Sequence, residues 1–339
     1  MYNISLITGD GIGPELSESA VSILETLHDK LGVKTKITSL EAGDIALEKY
    51  GRALPDETFQ SVKSSDACLK APVGESAADV IVVLRRKLDL FANIRPAKSY
   101  PNTPALREDI DLVIVRENTE DLYTGQEFEL EDSAVAMRII TGKASKRIAK
   151  LAFEIATQRN EKKRVTCVHK SNVMRKTDGL FSKSCESVAK EFADIKFDQM
   201  YVDACSMNLI REPQEFDVIV TTNLFGDILS DESSQVVGGL GMAPAANIGD
   251  NFGLFEPVHG AAFDIAGKQI ANPTSFILSI KMMLEWLGMK NNDQNSLGAA
   301  KMLEDTVLNI VKTGITTKDI GGTMSTREFT DEIIKRLST

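Results

Sequence analysis

Short apolar runs alternate with helical patterns along this chain, and that alternation limits its fold more than any other feature. Residues 4–8 form an apolar run, and residues 15–31 then repeat apolar side chains at helical spacing. The same order returns at residues 164–169 and 177–192. Strands that are separated by helices pair in parallel and carry helices on both faces of the sheet. The sequence therefore predicts an α/β fold, with a central sheet flanked by helices.

One segment departs from this alternation. Residues 126–141 have extended character, with charged residues at one end and β-branched residues near the other. Such a segment favours strands over a helix. We expect a protruding β arm over about residues 124–142.

Charge and hydropathy exclude several classes of function. The net charge is −10, which argues against a nucleic-acid or anionic-membrane partner. No apolar run approaches the roughly 18 residues that span a bilayer, and the N-terminus lacks the pattern of a signal peptide. The four cysteines are too widely spaced for a zinc site or a disulfide framework, which favours a reducing compartment. We expect a cytoplasmic protein.

Two aspartates lie four residues apart where a helix follows a short buried strand. Asp227 and Asp231 come after the apolar run at 217–222, so both carboxylates lie on one helical face. A divalent cation between them would remove their repulsion, and Asp203, which ends another predicted strand, is a third candidate ligand. The alternative is a solvated acidic face. The pattern is compatible with a site for a hard divalent cation.

Three arginines suit a small polycarboxylate, and one of them ends a predicted strand. Arg85 and Arg95 bracket one segment, and Arg116 ends the strand at 111–116. Each guanidinium can donate two hydrogen bonds to one carboxylate. Surface salt bridges are the alternative for each arginine taken alone.

Two further side chains are candidates for proton transfer. Tyr123 follows Arg116 by seven residues, and Lys170 lies just after the strand at 164–169. A tyrosine can donate a proton where a neighbouring cation lowers its pKa. Packing for the tyrosine and a surface charge for the lysine are the alternatives.

Two glycine-containing segments allow a ligand to approach the backbone. Residues 9–14 form a turn between a strand and a helix, but they depart from the dinucleotide fingerprint because proline follows the third glycine. Near residue 260, the small side chains of Gly260, Ala261 and Ala262 leave room for a flat ligand, and Asp264 could accept hydrogen bonds from a ribose.

Together these segments resemble the β-decarboxylating dehydrogenase family of isocitrate, isopropylmalate, homoisocitrate and tartrate/malate enzymes. The resemblance runs from residue 4 to about 288. It is carried by six motifs in order, which are GDGIGPE at 9–15, LRRKLDLFANIRPAK at 84–98, RENTEDLYTG at 116–125, HKSNVMRKTDGLF at 169–181, NLFGDILSDE at 223–232 and EPVHGAAFDIAGK at 256–268.

The resemblance implies a two-domain α/β fold with a central mixed sheet flanked by helices, which differs from the Rossmann fold. Residues 1–90 and 238–339 would form the first, cofactor-binding domain, and residues 91–237 the second domain, which carries the arm. Lys170 and Asp203 would enter the active site of a neighbouring subunit, so a homodimer, with a tetramer also open, is implied.

The same resemblance implies residue roles. The implied substrate-binding residues are Arg85, Arg95, Arg116, Ile81, Val82, Asn172 and Val173. The implied proton-transfer pair is Tyr123 and Lys170, and the implied ligands of Mg²⁺ or Mn²⁺ are Asp203, Asp227 and Asp231. The implied cofactor-binding residues are Glu256, His259, Gly260, Ala261, Ala262, Asp264 and Asn272.

Residues at single sequence positions indicate which cofactor and which substrate are favoured. Asp264 stands where NADP-dependent relatives carry a lysine, which favours NAD. Ile81 and Val82 precede Arg85 and suit an isopropyl group, since a third carboxylate there would be left unpaired. The segment at 74–80 also looks like archaeal isopropylmalate dehydrogenases.

Three alternatives stay open. Arg86 adds a cation beside Arg85, and the segment at 85–90 resembles homoisocitrate enzymes. Isocitrate or an alkylmalate is a further possible substrate. A non-catalytic regulatory subunit of a hetero-oligomer is disfavoured, because Tyr123, Lys170 and all three aspartates are present.

Overall fold

The computed structural model describes residues 1–338. Its strands are β1 (Tyr2–Ile7), β2 (Thr35–Leu40), β3 (Ala67–Lys70), β4 (Ala92–Lys98), β5 (Asp111–Glu117), β6 (Glu127–Leu130), β7 (Ser133–Ala136), β8 (Arg164–His169), β9 (Lys196–Tyr201), β10 (Val218–Thr221), β11 (Pro244–Ile248) and β12 (Gly253–Pro257). Its helices are α1 (Gly13–Leu31), α2 (Asp44–Tyr50), α3 (Asp56–Ser64), α4 (Ala77–Lys87), α5 (Gly142–Arg159), α6 (Thr177–Ala189), α7 (Val202–Arg211), α8 (Asn223–Val236), α9 (Thr274–Asn291), α10 (Gln294–Lys312) and α11 (Thr326–Leu337).

Ten strands form one mixed sheet, in the order β2-β1-β3-β12-β11-β4-β5-β10-β8-β9. Strand β11 is antiparallel to both β12 and β4, and β4 is antiparallel to β5, whereas the other neighbours are parallel. Strands β6 and β7 form a separate hairpin within the predicted arm. The α/β fold with a central mixed sheet is therefore confirmed.

Apolar side chains form separate cores in the two halves of the molecule. Leu6, Ile280 and Val307 belong to one core, between the sheet and helices α1, α9, α10 and α11. Phe153 and Phe181 belong to another, where α5 and α6 cover β5, β8 and β10. Because one sheet runs through both halves, the domain boundaries at residues 90 and 238 stay a prediction.

Local sequence explains where two helices begin or end. Pro14 fits the first turn of α1, where no backbone donor is needed, and Gly32 ends that helix with a φ of +68°. Helix α11 begins at a capping box, in which Ser325 and Glu328 each accept a hydrogen bond from the other's backbone N–H. Both signals were readable from the sequence.

Two differences from the sequence expectations lie close to the candidate site. Strand β9 ends at Tyr201, so Asp203 lies in the first turn of α7 and does not end a strand. Strand β4 has no simple apolar pattern because it contains Arg95 and Pro96. None of the described helices is both long enough and apolar enough to cross a membrane.

Parallel pairing places several loops at one edge of the sheet. Strands β5, β10, β8 and β9 run side by side in the same direction. Their carboxyl ends therefore lie along one edge, as is usual for ligand sites of α/β sheets. Arg116, Asn223, Lys170 and Asp203 lie at or just after these four strand ends.

Candidate active site

A cleft of about 250 Å³ lies beside the carboxyl end of β5. We call it the cleft throughout. It is lined by α4, by β4 and β5, and by the segment that follows β12. Seven of the predicted substrate-binding, proton-transfer and metal-binding residues line it, and these are Ile81, Val82, Arg85, Arg95, Arg116, Tyr123 and Asp227.

Arg116 is the most deeply buried of the three arginines. Its side chain is 1% exposed, and its Nε and Nη2 donate hydrogen bonds of 2.9 and 2.6 Å to Oδ1 of Asn223. Its Nη1 contacts Asp227. Burial, followed by the charges of Arg95 and Arg85, lowers the pKa of Arg116 to about 9, so the guanidinium remains protonated at neutral pH.

Arg95 joins the arginine cluster to both aspartates of α8. Its Nη1 lies 3.3 Å from Oδ1 of Asp227 and 3.2 Å from Oδ1 of Asp231. The same nitrogen donates a hydrogen bond of 2.7 Å to Ser230. One guanidinium thus partly neutralises the two carboxylates in the described chain.

The two aspartates differ in charge environment although they share one face of α8. Burial would raise the pKa of Asp227, but the charges of Arg116 and Arg95 outweigh it and hold that pKa below its ordinary value. Burial raises the pKa of Asp231, with Arg95 opposing and Asp227 adding to the rise. Asp227 is therefore the stronger anion of the pair.

The donor set of α8 suits a hard divalent cation. Asp227 and Asp231 present carboxylate oxygens whose side chains are 34% and 57% exposed, so an ion can reach them. Among residues 1–338, no three His, Cys, Asp or Glu side chains are close enough to share one ion. Mg²⁺ commonly takes only one or two protein carboxylates and completes its shell with substrate and water. The two aspartates fit that pattern.

Tyr123 lies against Arg116 and Asp227. Its hydroxyl donates a hydrogen bond to Oδ2 of Asp227, and the Arg116 guanidinium lies 5.0 Å from its ring centroid. Burial raises the pKa of Tyr123, and the lowering effect of Arg116 is outweighed. The sequence hypothesis of a lowered pKa is therefore wrong, and the phenol is protonated at neutral pH.

Arg85 belongs to a buried polar network that the sequence patterns did not single out. Its Nε donates to Oδ1 of Asn247 at 2.9 Å, and its Nη2 lies 3.2 Å from Oε1 of Glu256. The other oxygen of Glu256 lies 2.8 Å from Nζ of Lys70, whose side chain is buried. Burial would raise the pKa of Glu256, but Lys70 and Arg85 lower it to about 2. Glu256 is thus a permanent anion that orients Arg85.

The segment with the predicted cofactor residues lies close to the first turn of the chain. The N–H of Ile12 donates to the carbonyl of Ala261 at 2.8 Å. A Cβ on Gly11 would come within 2.1 Å of that carbonyl, so only glycine allows this approach. Ala262 has a φ of +43°, whereas Asp264 and Gly260 are exposed.

His259 and Asn272 provide polar groups beside this segment. Nε2 of His259 is buried and has no hydrogen-bond partner, although the residue lines the cleft. Burial lowers the pKa of His259, which favours the neutral ring. Asn272 donates to Asp319 at 3.0 Å. An orphaned imidazole nitrogen, a close backbone turn and the exposed Asp264 fit a nucleotide cofactor.

Lys170 and Asp203 contact each other and do not line the cleft. The hydrogen bond from Lys170 lowers the pKa of Asp203. Asn172 and Val173 are exposed, Val173 to 68%. The described chain therefore does not bring these four residues together with the arginines.

Comparison with known proteins places the chain in a defined group of enzymes. Residues 3–333 match the family described as isocitrate/isopropylmalate dehydrogenase. A 3-isopropylmalate dehydrogenase from Saccharolobus solfataricus is 50% identical over 336 residues, 98% of this chain and 99% of the relative. A homoisocitrate dehydrogenase from Methanocaldococcus jannaschii is 43% identical and covers 98% of this chain and 97% of the relative.

A solved structure shows the same similarity in three dimensions. The isocitrate dehydrogenase from Methylococcus capsulatus superposes with a TM-score of 0.93 at 41% identity. The alignment covers 100% of both chains.

Proposed function

This chain belongs to the isocitrate/isopropylmalate dehydrogenase family, and we propose that it oxidises and decarboxylates (2R,3S)-3-isopropylmalate with NAD. The chain is a decarboxylating dehydrogenase. The proposed product is 4-methyl-2-oxopentanoate, which is formed in leucine biosynthesis. We place the reaction in the cytoplasm, in keeping with four free cysteines that are all buried.

The apolar wall of the cleft supports 3-isopropylmalate as the substrate. We use that term for Ala77, Ala78, Ile81 and Val82, which all lie on α4 and line the cleft. Arg86 is exposed and does not line it, so the extra cation considered in the sequence does not face the substrate. A third carboxylate against this wall would lose its hydration without gaining a partner, whereas an isopropyl group would bury apolar surface.

The arginine cluster would hold the two carboxylates of the malate unit. Arg85, Arg95 and Arg116 line the same cleft as the apolar wall and offer planar donors to it. Asp227, Asp231 and Glu256 form ion pairs with these guanidinium groups. Substrate binding would therefore exchange internal ion pairs for substrate carboxylates.

Proton transfer is assigned to Lys170 and Tyr123. A bound NAD would supply the hydride acceptor, and Asp227 and Asp231 would hold a divalent ion that could polarise the hydroxyl oxygen. Lys170 would remove the hydroxyl proton as the hydride leaves C2. After carbon dioxide departs, Tyr123 would deliver its proton to C3, and its raised pKa ensures that it carries that proton at neutral pH.

A homodimer would complete each site. Lys170 and Asp203 lie outside the cleft of their own chain, next to Val173 and other exposed apolar side chains. Met207 and Ile210 on α7 and Ile228 on α8 are each more than half exposed. Such a patch beside unused catalytic groups favours association of two chains, with each chain supplying Lys170 and Asp203 to the other's cleft.

Oxidation of homoisocitrate is the second candidate, and Lys70 is the observation that favours it. Its ammonium lines the cleft and could meet a third carboxylate. Glu256 already neutralises that charge at 2.8 Å, however, and relatives named homoisocitrate dehydrogenase are less similar than those named 3-isopropylmalate dehydrogenase. The first candidate is therefore preferred.

Turnover by the purified chain tests the proposal. With 3-isopropylmalate, NAD and Mg²⁺, we expect NADH and 4-methyl-2-oxopentanoate in equal amounts. EDTA should abolish the reaction, and added Mg²⁺ or Mn²⁺ should restore it. Absence of any turnover by the chain alone would instead indicate a regulatory subunit.

A further inference from the structure

Arg138 has no role in the proposed reaction, yet it lies among three of the loops that carry it. It follows the hairpin of β6 and β7, and its side chain is only 11% exposed. We propose that Arg138 is a positioning residue that fixes the spacing of the Tyr123 loop, the Lys170 loop and the start of α8. This inference rests on the residue roles given under the proposed function.

The first contact of Arg138 is with the loop of Tyr123. Its Nη2 donates to Oδ2 of Asp121 at 3.2 Å, and its Nε forms an ion pair of 2.8 Å with Oδ1. Asp121 is fully buried and has a φ of +70°, which is unfavourable for a residue with a side chain. Its carboxylate also accepts from the N–H of Leu122, in the short helix that contains Tyr123. The charge of Arg138 therefore stabilises a strained, buried residue two positions before Tyr123.

The second contact is with the loop of Lys170. Nη1 of Arg138 lies 3.3 Å from Oδ2 of Asp178, whose side chain is also fully buried. The other oxygen of Asp178 accepts from the backbone N–H of Lys170 at 2.8 Å. Asp178 thus links the guanidinium directly to the backbone of the proposed base.

The third contact is with the first turn of α8. Nη2 of Arg138 donates to Oγ1 of Thr222 at 2.6 Å, and the guanidinium lies 4.6 Å from the ring centroid of Phe225. Asp121 reinforces this contact, since it accepts from the N–H of Leu224 at 3.1 Å. Helix α8 continues from this turn to Asp227 and Asp231.

One guanidinium therefore meets two fully buried carboxylates, a hydroxyl and an aromatic face. Its planar, five-donor geometry suits this set, whereas a lysine ammonium could not reach all of them at once. Removing the cation would leave Asp121 and Asp178 buried without a counter-charge, and both loops would have to move to rehydrate them.

In a homodimer, the contacts of Arg138 would involve two active sites. Tyr123 and α8 face the cleft of their own chain, whereas Lys170 is proposed to serve the partner's cleft. Arg138 would then set the distance between parts of two different active sites. Its replacement should impair chemistry more than substrate binding, because Arg85, Arg95 and Arg116 do not contact it.

Matched arginine variants test this inference. Arg138→Lys keeps the charge, and Arg138→Met keeps the approximate length. Arg159→Lys and Arg159→Met are the controls, because Arg159 also pairs with a fully buried aspartate, Asp217, but lies outside the cleft. We expect both Arg138 variants to lose roughly 10- to 100-fold in kcat, with KM for 3-isopropylmalate changed by less than about threefold. The Arg159 variants should keep the wild-type kcat.

Hydrogen exchange followed by mass spectrometry provides a readout that does not depend on turnover. The segments at 170–178 and 221–225 should exchange faster in the Arg138 variants than in the Arg159 variants. Wild-type kcat in the Arg138 variants, or unchanged exchange of both segments, would overturn the inference. If the wild-type chain does not turn over 3-isopropylmalate, the proposed function fails, and hydrogen exchange alone then decides the role of Arg138.

Discussion

At the scale of single residues, we propose that Asp264 determines the choice of cofactor. It is exposed beside the segment that fits a nucleotide, and a carboxylate there accepts a ribose hydroxyl but repels a phosphate. Asp264→Lys should lower kcat/KM for NAD by about tenfold or more and raise it for NADP, equivalent to ~1.4 kcal/mol. Steady-state kinetics with both cofactors measures this change.

Asp305→Lys, at an exposed site on α10, is the control. Unchanged NAD kinetics in Asp264→Lys would remove Asp264 from the ribose site.

Glu256 gives a prediction about stability and pH. Its folded-state pKa of about 2 lies below its ordinary value, so its stabilising contribution is present above about pH 4.5 and is lost as the pH falls towards 2. That contribution is roughly 3 kcal/mol at pH 7. Urea unfolding should show Glu256→Gln to be less stable than wild type at pH 7, with a smaller gap at pH 3.

The partly exposed Glu154 provides a matched control. Glu154→Gln should have little effect at either pH, because a surface ion pair contributes little to stability. A gap between wild type and Glu256→Gln that stays constant from pH 7 to pH 3 would show that the charge of Glu256 is not its stabilising feature.

The sequence was informative where a residue's chemistry follows from its motif. Arg85, Arg95 and Arg116 could be selected because each lies in or next to a recognisable segment, and the structure brings all three to one cleft. Lys70, Asn247 and Arg138 could not, because their partners are distant in sequence, such as Glu256 for Lys70. The direction of the Tyr123 pKa was also unpredictable, since it depends on how burial compares with the charge of Arg116.

At the scale of elements, we propose that helix α4 determines which substrate fits. Its cleft face carries Ile81 and Val82, whereas Val83 on the same helix does not line the cleft. Ile81→Asn should lower kcat/KM for 3-isopropylmalate by roughly 10-fold or more, because a buried polar amide replaces an apolar contact. Val83→Asn is the matched control. Equal effects of the two substitutions would indicate a general loss of helix packing and not a loss of substrate contact.

Individual strands and helices also show what limits prediction of the fold from the sequence. The parallel strands β5, β8 and β10 are continuous apolar runs and could be read from the sequence. Strand β4 could not, because Arg95 and Pro96 interrupt its apolar pattern. Asp203 was assigned to a strand end because the apolar residues of α7, at positions 202, 205 and 209, give only a short helical pattern.

At the scale of the whole molecule, the proposed homodimer predicts that activity depends on association. Ile228→Asp places a charge in the exposed apolar patch of α7 and α8 and should yield monomers, with a loss of kcat of at least about 100-fold because Lys170 no longer reaches a cleft. Light scattering after size exclusion measures the mass. Leu47→Asp, at an exposed position of α2, should leave both mass and kcat unchanged. An active monomer would contradict the shared site.

We propose that the apolar wall of α4 selects an isopropyl group over a third carboxylate. The most direct test compares kcat/KM of the wild-type chain on 3-isopropylmalate, homoisocitrate and isocitrate, with NAD and Mg²⁺ held constant. We predict that 3-isopropylmalate exceeds each tricarboxylate by at least about tenfold, or ~1.4 kcal/mol. An equal or higher value for homoisocitrate or isocitrate would contradict the claim.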